Sequence, residues 1–286
     1  MSTPKRSFRA RKRFGQHFLS SKWAEKVVRT IDPQPGDVFL EIGPGEGALT
    51  FPLARTGAPI LAVEVDRDLL AALAPRVPPN VSLISGDILR TEVLPFLTGL
   101  QPQTPPGATG APAPRRLRIV GNLPYNLSTP ILFKLLEWQA QTGMFFDATV
   151  MLQREVADRL AAKPGTKAWG ALSLYLQLDT HINVPLRLPP GAFNPPPKVH
   201  SAIAHLTFQP RTVRISDQEI FDRLVRTMFS LRRKTLNNVL KAYDPKAPAL
   251  LLALDIDGMR RPETLSLVEL ARLVDSLASA KRSAVL

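Results

Sequence analysis

The stretch that most constrains this chain is Val38-Phe39-Leu40-Glu41-Ile42-Gly43-Pro44-Gly45-Glu46-Gly47. A short apolar run leads directly into a loop with glycine at every second position, and a helical pattern follows through Ala54. Strand, glycine loop, helix is the start of a crossover unit, which needs a parallel neighbour strand to close it. Three further runs supply such neighbours. Ile60–Val65 ends among acids, Val81–Ser85 ends at Gly86-Asp87, and Leu117–Val120 ends at Gly121-Asn122. The pattern predicts an α/β fold with a parallel sheet wound by helices. In such sheets ligands sit beyond the C-terminal ends of the strands, where the polar residues of this chain collect.

Around this core the spacing predicts further elements. Trp23, Val27, Val28 and Ile31 mark a helix that Pro33, Pro35 and Gly36 stop. Thr129–Trp138 reads as a helix. Thr149–Leu152, Leu172–Leu178 and Ala202–Phe208 read as strands, the last two pairing antiparallel through the Pro-rich connection Pro185–Pro197. Beyond Pro210, the segments Ile215–Leu231, Lys234–Ala242, Ala247–Leu254 and Leu265–Leu277 have helical periodicity. The expected organisation is a basic arm and first helix over 1–30, an α/β domain over 31–210 and a small all-helical domain over 211–286. Residues 101–114, almost wholly Pro, Gly, Thr, Ala and Gln, read as an extended surface insertion of low complexity.

Charge narrows the class of partner. The 286 residues carry 37 Lys and Arg against 24 Asp and Glu, a formal +13, and the excess is uneven. Residues 1–30 hold nine cations and one acid, residues 31–210 balance, and residues 211–286 hold fourteen cations against nine acids. Lys5, Arg6, Arg9, Arg11, Lys12 and Arg13 crowd the arm, a density suited to a phosphate polyanion. The chain has no cysteine, which excludes a disulfide framework, a thiolate zinc site and a cysteine nucleophile; four histidines leave little for any metal. With 44% hydrophobic residues the chain fills a real core. No apolar run approaches the ~20 residues that span a bilayer, so a soluble, cytoplasmic protein is expected.

The glycine loop lets backbone N–H groups approach a ligand closely, and Glu64 at the end of the next run is placed to accept from a ribose diol. By itself this is ambiguous. With Ala48 the loop also satisfies the dinucleotide fingerprint of NAD-dependent dehydrogenases, and a purely structural turn is a further reading. Two later positions separate these. Asp87 is suited to accept from an exocyclic adenine amine, and Gly121-Asn122-Leu123-Pro124-Tyr125-Asn126 has no counterpart in nicotinamide chemistry. An exocyclic amine is a poor nucleophile because its lone pair is delocalised into the ring. Two acceptors on its hydrogens favour a pyramidal, reactive nitrogen; Asn122 and a Leu123 or Pro124 carbonyl supply them, and Tyr125 offers a ring for a flipped base.

Five segments together resemble the KsgA-type rRNA adenine N6,N6-dimethyltransferases. They are Arg11-Lys-Arg-Phe-Gly-Gln-His-Phe-Leu19, Glu41-Ile-Gly-Pro-Gly45, Asn122-Leu-Pro-Tyr-Asn-Leu-Ser-Thr-Pro130, Phe193-Asn-Pro-Pro-Pro-Lys-Val-His-Ser201 and Phe229-Ser-Leu-Arg-Arg-Lys-Thr-Leu236. The resemblance implies a Rossmann-like methyltransferase domain with a small helical domain behind it. It implies S-adenosylmethionine as methyl donor, no metal, and two adjacent adenines near the 3′ end of small-subunit rRNA as substrate, each methylated twice.

Carried over position by position, the donor site comprises His17, Leu19, Gly43, Gly45, Glu64, Asp87 and Asn122, with Gln16 and Ile88 as neighbours. At His17 the family usually has asparagine. Tyr125 and Phe193 are expected to sandwich the target adenine. Arg232, Arg233 and Lys234, at the start of a helical stretch, join Arg11, Lys12 and Arg13 in gripping phosphate, and the expected partner is small-subunit rRNA or an immature 30S particle. An Erm-type enzyme acting on large-subunit rRNA shares the glycine and Asn-Leu-Pro-Tyr motifs, but the Phe193–Ser201 and Phe229–Leu236 segments favour the KsgA type. A role mainly as an RNA-binding checkpoint in 30S assembly is an alternative of another class. No coiled-coil seam argues for a dimer, so a monomer is expected.

Overall fold

The structure, a computed structural model, describes residues 16–99, 116–211 and 213–283. Arg11, Lys12 and Arg13 of the arm and the 101–114 insertion lie outside the described residues. The chain divides into two compact units. One runs to Ala157 and takes in Ile182–Phe208; the other comprises Asp158–His181 and the chain from Gln209 onward.

The first unit begins with the two-residue strand β1 (Phe18–Leu19) and helix α1 (Ser21–Ile31), whose Ala24, Val27 and Ile31 recur along one buried face. Then strands and helices alternate: β2 (Asp37–Ile42), α2 (Thr50–Ala54), β3 (Ile60–Glu64), α3 (Arg67–Leu73), β4 (Val81–Ser85), α4 (Leu94–Gly99), β5 (Arg116–Asn122), α5 (Ser128–Thr142) and β6 (Phe145–Gln153). After α6 (Arg154–Leu160) and α7 (Ala171–Asp179) come β7 (Thr180–Leu188), β8 (Phe193–Asn194) and β9 (Ser201–Phe208). The main sheet has the order β4-β3-β2-β5-β6-β9-β7. Strands β4 through β6 are mutually parallel, and β9 runs antiparallel to β6. Every residue of β2 and β3 is buried, as expected of strands covered by helices on both faces.

From β2 the chain winds outward through β3 to β4, then returns to place β5 on the other side of β2. That reversal opens a crevice beyond the strand ends, and it falls between Gly43, after β2, and Asn122, which ends β5.

At the opposite end of the sheet a buried cation ties three strands to α1. Arg118 of β5 donates to both carboxylate oxygens of Asp147 in β6, to Asp37 Oδ2 in β2 at 2.8 Å, and to the Ile31 and Asp32 carbonyls. Burial alone lowers the affinity of this guanidinium for its proton, but the hydrogen bonds and charges of Asp147 and Asp37 together hold it above the ordinary arginine range.

The second unit contains α7, α8 (Gln218–Ser230), α9 (Leu236–Tyr243), α10 (Pro248–Ala253) and α11 (Leu267–Ser283) around a core that includes Trp169, Phe221, Leu224, Val239 and Leu273. The four expected helices beyond Pro210 are present. Two expectations differ. Leu172–Leu178 is not a strand but lies within the helix α7, where Leu174 and Leu178, one turn apart, enter the helical core and the Ser173 hydroxyl accepts from Gly170 N–H. The sheet neighbour of β9 is instead β7, immediately downstream. Nor do the compact units follow a single cut at residue 211. Residues 158–181 join the C-terminal helices because Trp169 is buried among them, its indole N–H donating to the Leu265 carbonyl at 3.0 Å, and Gly165 N–H donates to the Glu263 carbonyl.

Candidate active site

A cavity of about 1180 Å³ occupies the crevice. Gln16, His17, Leu19, Gly43, Gly45, Glu64, Asp87, Ile88 and Asn122 all border it, as do Leu123, Pro124 and Tyr125. Segments far apart in sequence meet here because parallel strands in register deliver their C-terminal ends to one edge: Ile42 pairs with Val63 and Gly121, and Glu64 with Ser85.

The glycine loop is shaped by backbone conformation. Gly43, Gly45 and Gly47 have φ of +69°, +56° and +88°, values that side-chain-bearing residues rarely adopt. At Gly47 a Cβ would also lie 2.4 Å from the Phe51 ring, so any larger residue there would have to displace that ring. Opposite the loop, Glu64 is held by backbone donors on both oxygens, Asp66 N–H to Oε1 at 2.9 Å and Gly45 N–H to Oε2 at 3.1 Å. Burial raises its pKa, partly offset by those two bonds. The side chain is thereby locked, while each oxygen keeps a second lone pair for a ligand hydroxyl. Asp87 is fixed similarly, accepting from Leu89 N–H at 3.0 Å. Gln16 Nε2 donates to Asp66, which brings the end of the arm to the tip of β3.

Glu41 was not among the expected site residues, yet it borders the cavity. It is 2% exposed, and its Oε2 has no hydrogen-bond partner among the described residues. Burial pushes its carboxyl up to about 7; Thr50 offsets part of that rise and the Glu64 charge adds to it. An acid inside an otherwise apolar strand was the available signal. A buried, unsatisfied carboxylate is costly unless a cationic or donating group completes it.

At the end of β5, Asn122 Nδ2 donates to the His17 carbonyl at 2.8 Å. With the amide nitrogen engaged, Oδ1 is the acceptor end. The Pro124 carbonyl accepts from Leu127 N–H at 2.9 Å in the turn that opens α5, whereas Leu123 turns its N–H to Met151. Of these two carbonyls, that of Pro124 is already committed to the turn that opens α5. Tyr125 is anchored at its hydroxyl, 2.6 Å from Ser201 Oγ, and burial raises its pKa. It stays a neutral phenol at physiological pH.

The structure does not bring Phe193 to the cavity wall. This residue is 4% exposed and packs with Leu19, Leu188, Ala192 and Ile203 in the core, its backbone paired to Leu19. The ring that faces Tyr125 is that of His17, with centroids 5.7 Å apart and planes inclined by 26°.

In the second unit, Arg232, Arg233 and Lys234 sit in the turn between α8 and α9 rather than on a helix. Arg233 and Lys234 are exposed. Arg232 is half-buried and committed internally: it donates to the Lys167 carbonyl and lies 3.8 Å from Glu263. Among the described residues no group of three or more His, Asp or Glu is placed to hold a metal ion, and no helix is long and apolar enough to cross a membrane.

The family model for ribosomal RNA adenine dimethylase matches residues 7–279 of the chain. The ribosomal RNA small subunit methyltransferase A of Pseudomonas fluorescens is 43% identical over 282 residues, spanning 96% of this chain and 97% of its own. That of Xylella fastidiosa is 41% identical, spanning 93% of this chain and 96% of its own. Among solved structures, a dimethyladenosine transferase from Plasmodium falciparum superposes with a TM-score of 0.72 at 21% identity, covering 93% of this chain and 98% of its own. The 23S rRNA methyltransferase ErmE does so with 0.64 at 23% identity, covering 91% and 99%. These likenesses are of fold, a Rossmann-like methyltransferase architecture followed by C-terminal helices.

Proposed function

The chain belongs to the ribosomal RNA adenine dimethylase family, and from that membership we propose that it methylates N6 of two adjacent adenines in the hairpin near the 3′ end of small-subunit (16S) rRNA, twice each, with S-adenosylmethionine as donor. The observation that carries this reading is the Asn122 amide, oriented by the His17 carbonyl at the edge of the cavity. The relatives' names favour the small-subunit substrate over the large-subunit alternative.

The cavity's own chemistry fits such a donor. Three left-handed glycines expose backbone along one wall, Glu64 presents fixed lone pairs suited to a ribose diol, and Asp87 suits an adenine amine. Glu41 Oε2, buried and without a partner among the described residues, suits the ammonium of an amino-acid moiety. The donor supplies a methyl group already activated on a sulfonium, so the protein's task is alignment and exclusion of water rather than activation of that group.

On the acceptor side, Asn122 Oδ1 and the Leu123 carbonyl take the two N6 hydrogens, which draws the nitrogen lone pair out of the ring and toward the cavity. No general base is required, because the nitrogen becomes acidic as it is alkylated and releases its proton to solvent. After the first transfer a single N6 hydrogen remains. Asn122, the acceptor whose amide is held in place, keeps it, and the space before Leu123 receives the methyl. Exposed Arg233 and Lys234 hold phosphates of the substrate RNA. The enzyme acts in the cytoplasm, as a monomer, on an immature 30S particle.

Incubation with labelled donor and, separately, unmethylated 30S and 50S particles tests the reading. Label is expected in 16S rRNA. Label confined to 23S rRNA, or none in either particle, overturns it.

A further inference from the structure

A methyl donor and its spent product are nearly the same molecule. Transfer leaves the bonding electron pair on sulfur, so the sulfonium becomes a neutral thioether and the molecule loses one positive charge. Its adenosine and amino-acid groups are unchanged, and a site built only on hydrogen bonds to them would hold the product as well as the donor. Apart from the methyl group itself, charge is what tells the two apart.

The charge around the cavity is opposite in sign to that of the chain. The whole sequence carries a formal +13, which disfavours a cationic ligand. Yet the cavity is bordered by the carboxyl groups of Glu41, Glu64 and Asp87, and by the exposed Glu25 and Glu46. Against these five, two guanidinium groups border it among the described residues, those of Arg55 and Arg76. Arg76 is turned onto the Phe51 ring, 5.0 Å from its centroid. Glu41 Oε2, buried and without a partner among the described residues, independently marks the cavity as a place for a cationic group.

Glu46 differs from the inner acids. Glu64 and Asp87 accept from backbone N–H groups, whereas the exposed Glu46 side chain is bonded to no described residue. It stands between Gly45 and Gly47 in the turn closed by Gly47 N–H on the Pro44 carbonyl at 2.8 Å. Its own φ is negative, unlike those of the flanking glycines, so other side chains fit there without backbone strain.

We propose that Glu46 is a specificity-determining residue: its carboxylate favours the sulfonium donor over the thioether product and so limits inhibition by that product. This rests on the donor reading above. The carboxylate acts through space rather than through a bond. One unit charge about 10 Å away in water-like surroundings changes the affinity of a cation about twofold, and low-dielectric cavity walls increase the effect. Its action on the ammonium and carboxylate that both ligands carry cancels in the ratio of their affinities.

Calorimetry on the full chain with S-adenosylmethionine and S-adenosylhomocysteine gives the ratio of product Kd to donor Kd for wild type, Glu46→Gln, Glu46→Lys and Arg76→Gln. The ratio is expected to fall about twofold or more in Glu46→Gln and about fourfold or more in Glu46→Lys, one step for each unit of charge. In Arg76→Gln it is expected to rise. In wild type it should shrink as salt is raised from about 0.05 to about 0.5 M, because screening weakens the through-space effect. A merely structural role for Glu46 would move both dissociation constants together. An unchanged ratio across the Glu46 variants, or one that does not follow the sign of the charge, overturns the proposal. Wild-type protein that bound neither compound would instead sink the donor reading on which the proposal stands.

Discussion

Asn122 Nδ2 and the carbonyl oxygen of His17 lie 2.8 Å apart although 105 positions separate them in the chain. The bond joins the end of a central strand to the segment just before β1. It decides which end of the Asn122 amide is free: a carbonyl can only accept, so the nitrogen must face it and Oδ1 is left as the acceptor. An asparagine that is otherwise a plausible helix cap is thereby turned into an acceptor at the cavity edge.

Glu64 illustrates how specific such arrangements are. Both its oxygens accept from backbone N–H groups, so Glu64→Gln must aim an NH2 at either Gly45 or Asp66. Donor then meets donor. Calorimetry is expected to show S-adenosylmethionine binding weakened at least tenfold, and denaturant unfolding a loss of about 1–3 kcal/mol from the unsatisfied backbone group. Donor affinity within twofold of wild type would remove Glu64 from the ribose-binding role.

Glu41 predicts a pH dependence. Its folded-state pKa of about 7 lies above the ordinary value of 4.5, so the folded protein binds the extra proton between those values. Stability of the donor-free protein therefore falls as pH rises from about 4.5 to about 7 on account of this group, and levels off above. Glu41→Gln is expected to remove that fall, so that the variant gains on wild type across the window and keeps the gain at higher pH. Its donor affinity is expected to drop by about tenfold or more, since an amide replaces a carboxylate facing an ammonium. Thermal unfolding from pH 4.5 to 8 in parallel for the two proteins checks the first expectation, and titration with S-adenosylmethionine the second.

Arg118→Met tests the sheet's internal anchor. It leaves the buried Asp147 carboxylate without its guanidinium and takes a partner from Asp37 and from the last carbonyls of α1. Removing one member of a buried ion network costs about 3–5 kcal/mol. Equilibrium denaturation of the variant should show a loss of that size; a loss under about 1 kcal/mol would mean that the network is dispensable.

The cations in the turn after α8 divide into two kinds. Arg232 is committed to Lys167 and Glu263, whereas Arg233 and Lys234 are exposed. Replacing Arg233 and Lys234 together with Ala is expected to weaken rRNA binding severalfold and to flatten its salt dependence by about 1.5 in log–log slope, because two phosphates are no longer neutralised. Donor affinity should not change. An unaltered slope across a salt titration would take both residues out of the RNA site.

Much of this site was legible from local pattern. A glycine loop after an apolar strand, with Glu64, Asp87 and Asn122 each just past or at the end of a later strand, places those residues at one edge once the strands are parallel. What was not legible depends on distant partners. Leu172, Leu174, Leu176 and Leu178 satisfy a period of two, but Leu174 and Leu178 also satisfy a helical turn, and a core built from residues beyond Pro210 decides for the helix. Arg118 sits inside an apolar run where a charge looks out of place; its neutralising carboxylates come from two other strands. Phe193, expected beside Tyr125, packs with Leu188, Ala192 and Ile203, and the ring that faces Tyr125 in the free protein is that of His17, brought there by a contact 108 positions distant in the chain.

On the function proposed above, Asn122 is the acceptor on which the readiness of adenine N6 depends most. Single-turnover methyl transfer to unmethylated 30S particles by Asn122→Ala, at saturating donor, measures this directly. The expected result is loss of both the first and the second transfer, by a factor on the order of 10² or more. A variant that still dimethylated both adenines at near wild-type rate would contradict it.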